Sequence, residues 1–170
     1  STAVSAKEKG EHYIPEPQFD TCGYNYPEYK TIEMPALAEV DMNKSLDEAE
    51  YEKKLKKYQD KLFKLQNLCY QKKIPVIICY EGWDAAGKGG NIKRIAAALD
   101  PRGYEVHPIA APEPSELARH YLWRFWTRLE KNGHFTIFDR TWYGRVMVEP
   151  IEKLTPEERV NMAYREINEF

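Results

Sequence analysis

The chain has 170 residues, of which 42% are hydrophobic and 31% charged, with a formal net charge of -2. That length suits one domain with a substantial core, and no apolar run is long enough for a membrane span. The charge excludes a general attraction to nucleic acid or an anionic membrane, so neither is expected as a partner and any polyanion must be bound locally.

The first 43 residues carry prolines at positions 15, 17, 27 and 35, interleaved with Tyr13, Tyr24, Tyr26 and Tyr29. This pattern has no helical or strand period and predicts an extended arm over 1–43, followed by a folded domain over 44–170. Its aromatics would pack on the domain or on a neighbouring subunit, and a homo-oligomer is expected. No basic stretch followed by an apolar stretch opens the chain, so a cytoplasmic protein is expected. Cys22, Cys69 and Cys79 are far apart, two of them in apolar patterns that read as core, which points to reduced thiols. His12, His107, His120 and His134 are scattered without metal-ligand spacing.

Ser45-Leu-Asp-Glu48 has the form of a capping box, and Leu55, Tyr58, Leu62, Leu65 and Cys69 recur at intervals of three and four. A long amphipathic helix is predicted, with Lys53, Lys54, Lys57, Lys61 and Lys64 on its opposite side, read as a solvated face, with a basic wall beside a phosphate channel as the alternative.

Next comes the most informative stretch. The apolar strand Val76–Tyr80 feeds Gly82-x-x-x-x-Gly87-Lys88, which opens a helix predicted over 88–99. Such a loop lets backbone N–H groups converge on anionic oxygens, while the helix N-terminus and the lysine add positive potential. Gly82, Ala85, Ala86, Gly87, Lys88, Gly89 and Gly90 are the predicted phosphate-binding residues. Gly89 stands where serine or threonine would normally hold magnesium. Asp84 inside the loop is the substitute: an acid in a phosphate cradle repels its ligand unless a cation lies between them.

A strand over 104–109, a helix capped by Ser115 and ending before Gly133, and a strand over 135–138 follow. Thr155-Pro-Glu-Glu158 reads as a second capping box, with proline at the first position of a helix expected to run through Met162 and Ile167 and past Phe170. The alternation predicts an α/β fold, a parallel sheet flanked by helices, whose ligands bind beyond the strand carboxyl ends. Three strands are few for a complete enzyme, and a longer natural chain is expected. Thr136-Ile-Phe-Asp139 presents an acid beside the phosphate loop, and Arg140-Thr-Trp-Tyr-Gly-Arg145 places two guanidinium groups just beyond it. Arginine forks match phosphate oxygens and stabilise a phosphoryl group in transfer.

Taken together, Glu81-Gly-Trp-Asp-Ala-Ala-Gly-Lys-Gly-Gly90, Asp100-Pro-Arg102, Tyr121-Leu-Trp-Arg-Phe-Trp126 and Phe138-Asp-Arg-Thr-Trp-Tyr-Gly-Arg145 resemble the polyphosphate kinase 2 family, and within it the polyphosphate:AMP phosphotransferases. The resemblance runs from about Leu62 to the end of the chain. It implies a P-loop kinase fold with a helical lid, Mg2+ as cofactor, and inorganic polyphosphate and AMP or ADP as partners. It also implies that Gly87, Lys88, Gly89 and Gly90 cradle phosphate, that Asp84 and Asp139 handle the metal and the acceptor phosphate, and that Arg140 and Arg145 contact polyphosphate or the group in flight. Glu149-Pro150 departs from the Glu-Arg of the family and removes one cation at the lid entry. Trp83, Tyr121, Trp123, Trp126, Trp142 and Tyr143 are candidates to stack on adenine, although the aromatic spacing over 115–131 also fits a core. Two other readings stay open: an ATP-dependent nucleotide kinase, and a non-catalytic polyphosphate-binding or oligomerisation domain. The chain has no Asn-Lys-x-Asp segment of the kind that reads guanine.

Overall fold

The computed structural model describes residues 37–170; the arm's tyrosines and prolines up to residue 36, with Cys22 and His12, lie outside the described residues. Residues 37–42 carry a short 3-10 turn at Leu37–Glu39, and Asn43–Phe170 form a separate compact unit.

In that unit α1 spans Glu48–Lys72 and β1 Val76–Tyr80. They are followed by α2 at Lys88–Ala96, β2 at Tyr104–Pro108, α3 at Pro114–Leu117, α4 at Trp123–Trp126 and β3 at Phe135–Asp139. The chain then forms α5 at Val148–Ile151 and α6 at Glu157–Glu169. The three strands make a parallel sheet in the order β1-β3-β2, with Tyr80 and Pro108 both opposite Asp139. This is the expected α/β architecture.

The central strand is buried on both faces. Phe135 and Ile137 pack with Ile92 and Leu99 on the α2 side, where Leu62, Cys69, Ile78 and Ile95 close the cluster. Phe138 faces the opposite way and joins Leu122, Phe125 and Trp142. The alternation along β3 thus feeds two separate cores, as the period-2 geometry of a strand dictates.

Several local expectations are corrected. Asp47, not Ser45, caps α1: its extended backbone lets the carboxylate accept hydrogen bonds from Ala49 N at 3.0 Å and Glu50 N at 3.3 Å. The inward face of α1 is also rotated. Tyr58 and Leu65 are exposed, while Gln59 and Gln66 turn inward. Gln66 is buried because its side-chain amide meets both backbone groups of one residue, accepting from Asp100 N at 2.7 Å and donating to Asp100 O at 3.2 Å. That polar partner is invisible to hydrophobic periodicity. Helix α2 is regular only to Ala96, and Asp100 then caps a turn at Pro101–Gly103 by accepting from Arg102 N. Cys69 is half-buried, but Cys79 is exposed because it lies on the face of β1 opposite Val76, Ile78 and Tyr80, which pack on the core. Pro156, rather than Thr155, holds the cap position of α6.

The helix expected after Ser115 is two short helices interrupted at 118–122. Pro114 takes the first helical position of α3, and the Glu116 carboxylate accepts from Glu113 N at 3.0 Å. The interruption has an electrostatic reason. Buried Glu116 is ion-paired with Arg124 at 3.3 Å and Arg128 at 2.8 Å. In one straight helix these residues would lie about 12 and 18 Å further along the axis, out of reach of a single carboxylate. Folding back brings both to it.

Burial pushes the Glu116 carboxyl upward, but the Glu113 amide and the two guanidinium groups outweigh it and hold the group below its ordinary value of 4.5. A depressed folded-state value means that the stabilisation is present above pH 4.5 and is lost as pH falls through the lower folded value. Glu116→Gln is expected to cost about 3 kcal/mol at pH 7, by leaving two arginines without their counter-charge. It should also flatten the loss of stability below pH 4.5. Denaturant melts of both proteins across pH 3–7 would check this, and parallel curves would refute it.

Candidate active site

The glycine-rich loop is a strained connection between β1 and α2. Gly82 has φ +152°, Ala85 φ 59° and Gly87 φ 87°, the last at the cap position of α2. Only glycine adopts such a conformation without cost at Gly87, and the turn leaves the first amides of α2 without intrahelical acceptors. Lys88 lies back across the loop, donating from Nζ to Gly82 O at 2.9 Å and Trp83 O at 3.0 Å. In this position it braces the cradle and holds its charge within it.

The second half comes from the end of β3. Asp139 lies opposite Tyr80 in the sheet, so the loop after β1 and the segment after β3 leave the same edge side by side. Arg140 takes φ 69°, a conformation costly for a side-chain-bearing residue, and is fixed from both sides. Its N–H donates to Tyr80 O at 2.9 Å, and the next residue, buried Thr141, donates from N at 2.6 Å and Oγ1 at 2.8 Å to Glu81 Oε1. Asp84, Ala85, Ala86, Gly87, Lys88, Gly89, Asp139 and Arg140 consequently line one cleft of about 240 Å3. Two segments fifty residues apart in the chain meet there, as the sequence suggested.

The remaining expected residues stand as follows. Gly82 serves through its carbonyl, and Gly90 lies in the first turn of α2 behind the cleft lining, its own carbonyl accepting from Arg94 Nη1 at 2.8 Å. Arg145 is absent from the lining of that cleft. Its guanidinium stacks 4.2 Å from the Tyr121 ring centre, donates to Thr155 Oγ1 at 2.6 Å and pairs with Glu149 at 3.1 Å. Those partners come from the segment between α3 and α4, from α5 and from the turn before α6, which no spacing within the motif reveals. The same contacts draw Thr155 away from the cap of α6. Of the aromatic candidates, Trp83 is 83% exposed at the loop, whereas Trp142 is buried among Phe125 and Phe138. Trp126 packs edge-on against Phe170, and Trp123 lies under Arg119. Asp100 and Arg102 bind each other, and this hydrogen bond draws the Asp100 carboxyl down to about 2, so the pair closes a turn.

Glu81 and Thr141 are the site residues that the sequence reading missed as functional. The available signal was an acid placed directly between an apolar strand and the glycine loop, with nothing local to pair with. Glu81→Ala would strip the buried Thr141 N–H of its acceptor, so a loss of about 1–3 kcal/mol is expected. A double-mutant cycle with Thr141→Val, which removes only the hydroxyl donor, should be non-additive; additive free energies in urea melts would remove the Oγ1 half of the clasp.

Chemically, the cleft balances two cations, Lys88 and Arg140, against two carboxylates, Asp84 and Asp139. Oδ1 of Asp139 is buried with no hydrogen-bond partner. An all-oxygen pair with one unsatisfied buried oxygen suits a hard divalent cation. With that cation bound, the cleft would carry a surplus of positive charge and could hold a polyphosphorylated ligand.

Comparison with known proteins gives a consistent result. Residues 45–170 match the family model described as Polyphosphate kinase 2. The polyphosphate:AMP phosphotransferase of Acinetobacter johnsonii is 52% identical over 124 residues, covering 73% of this chain and 25% of that protein. An ADP-polyphosphate phosphotransferase of Pseudomonas aeruginosa is 38% identical over 125 residues, 74% of this chain and 41% of its own. A crystal structure from Pseudomonas aeruginosa PA01 assigned to polyphosphate kinase 2 superposes with a TM-score of 0.73 at 45% identity, over 78% of this chain and 29% of that one. The chain spans about a quarter of the length of the polyphosphate:AMP phosphotransferase it matches. By its sequence and its fold alike, the chain belongs to the polyphosphate kinase 2 family.

Proposed function

We propose that the protein moves a terminal phosphoryl group between inorganic polyphosphate and a nucleotide, with AMP to ADP favoured over ADP to ATP. The observation that carries this reading is the single cleft in which Lys88 and the glycine loop face Asp84, Asp139 and Arg140. Phosphoryl transfer needs positioning and charge neutralisation more than covalent help, and the cleft offers those. The names of relatives 46–52% identical to the chain support polyphosphate as one substrate and AMP as the other.

In this reading Asp84 and Asp139 hold Mg2+, which supplies charge neutralisation at the phosphate oxygens. Loop amides and Lys88 bind the phosphate next to the transferred group. Arg140, fixed by the Glu81–Thr141 clasp, orients the other substrate's phosphate. Arg145 acts from outside the cleft, bracing the segment after Asp139 through Thr155, Glu149 and Tyr121. The domain over 44–170 carries this half of the site. The arm over 1–43 mediates contacts in a homo-oligomer, and the enzyme works in the cytoplasm. No helix among the described residues is long and apolar enough to cross a membrane.

Product analysis of the full-length protein with polyphosphate, Mg2+ and AMP or ADP in turn tests the reading. ADP from AMP, abolished by chelation of the metal, is the expected result. Product formed with ATP but not with polyphosphate would replace it with an ordinary nucleotide kinase, and polyphosphate binding without any product would replace it with a binding domain.

A further inference from the structure

The histidines have no metal-ligand spacing in sequence, yet the fold brings one of them to two carboxylates. Glu105 and His107 stand two apart on β2 and so project from the same face. Glu130 follows α4, its amide anchored by a 2.9 Å hydrogen bond to Thr136 Oγ1 on β3. Because Thr136 is the sheet partner of Glu105, this anchor places Glu130 beside the strand pair. One ligand atom from each of the three side chains lies within 4.8 Å of the others.

We propose that Glu105, His107 and Glu130 bind a divalent transition-metal ion of the zinc class, separate from the phosphate cleft. The donor set itself is the first reason. One imidazole with two carboxylates suits zinc, cobalt or manganese, whereas Mg2+ takes oxygen ligands, so this site and the Asp84/Asp139 pair select different ions. Unmet electrostatic demand is the second. Nε2 of His107 is buried with no hydrogen-bond partner, and neither carboxylate forms an ion pair among the described residues. Two carboxylates held this close repel each other, and a dication bound between them removes that cost. The ring of His107 is held in place by packing against Phe138 at 5.5 Å, so the ligand is oriented before the metal arrives.

The position also suggests what the ion does. None of the three residues lines the cleft. However, β2 is an edge strand, and Pro108, next to His107, lies opposite Asp139. An ion here ties that edge to the connection entering β3 and stiffens the ladder that presents Asp139.

The test uses metal alone, on protein in excess Mg2+ to occupy the oxygen-only site. Zn2+ is expected to raise the Tm, and one equivalent of Co2+ to give a visible d–d absorption band that Zn2+ abolishes. Glu130→Gln and Glu105→Gln, which keep the side-chain shape, should weaken Co2+ binding roughly tenfold or more, and His107→Ala should abolish the band. Asp139→Asn should leave it intact. A Tm indifferent to Zn2+ with no Co2+ band, or a band unchanged in Glu130→Gln and Glu105→Gln, would overturn the site. These readouts do not depend on any phosphotransferase activity, so the proposal and the proposed function can fail separately.

Discussion

Lys88→Ala is expected to lower kcat/KM by about a hundredfold, equivalent to about 3 kcal/mol of transition-state stabilisation, in a polyphosphate-dependent AMP kinase assay. The cleft's formal charges cancel, so the lysine is half of the fixed positive charge available to an incoming phosphate chain. Its ammonium rests on the carbonyls of Gly82 and Trp83. Exchanging those neutral acceptors for anionic oxygens is favourable, and the exchange requires only a side-chain rotation. The substitution should leave stability within about 1 kcal/mol of wild type, because the two lost hydrogen bonds are exposed to water. Activity within a few fold of wild type would remove Lys88 from the mechanism, whereas a large loss of Tm would show that its main task is bracing the loop.

Phe138→Ala should be the most destabilising single truncation in the domain, costing about 3–5 kcal/mol and lowering Tm by roughly 6–20 °C. Phe138 is fully buried and meets Phe125, Trp142 and His107 at ring-centre distances of 5.6, 5.8 and 5.5 Å. These neighbours come from α4, from the turn after β3 and from β2. No single element can collapse into the void, so most of the cavity term should persist. The neighbouring residue is Asp139, and activity should fall even at temperatures where the variant is folded. Trp83→Ala, at a side chain 83% exposed, is the control and should leave Tm unchanged. Equal thermal denaturation midpoints for the two variants would contradict this account of the core.

The sequence was most informative where structure is local. The loop from Gly82 to Lys88 and the strand ending at Asp139 were legible because turn chemistry, strand period and helix capping act over a few residues. The alternation of strands and helices was enough to predict a parallel sheet, and a parallel sheet places both segments at one edge. Other features depended on partners distant in the chain. Gln66 turns inward on account of the Asp100 backbone, and two arginines that fold back to Glu116 divide the expected helix. Arg145 closes the same short motif that Arg140 opens, yet Thr155, Glu149 and Tyr121 hold it outside the cleft.

By itself, then, the order of residues determined the fold class, the glycine-rich loop after β1 and the acid opposite it, since each is encoded by neighbours along the chain. Only the tertiary structure decided that Glu81 clasps Thr141, that Arg145 braces rather than lines the cleft, and that His107 meets two carboxylates. The reason is physical: a hydrogen bond or an ion pair depends on separation in space, and the chain fixes that separation only after the sheet has brought its distant strands together.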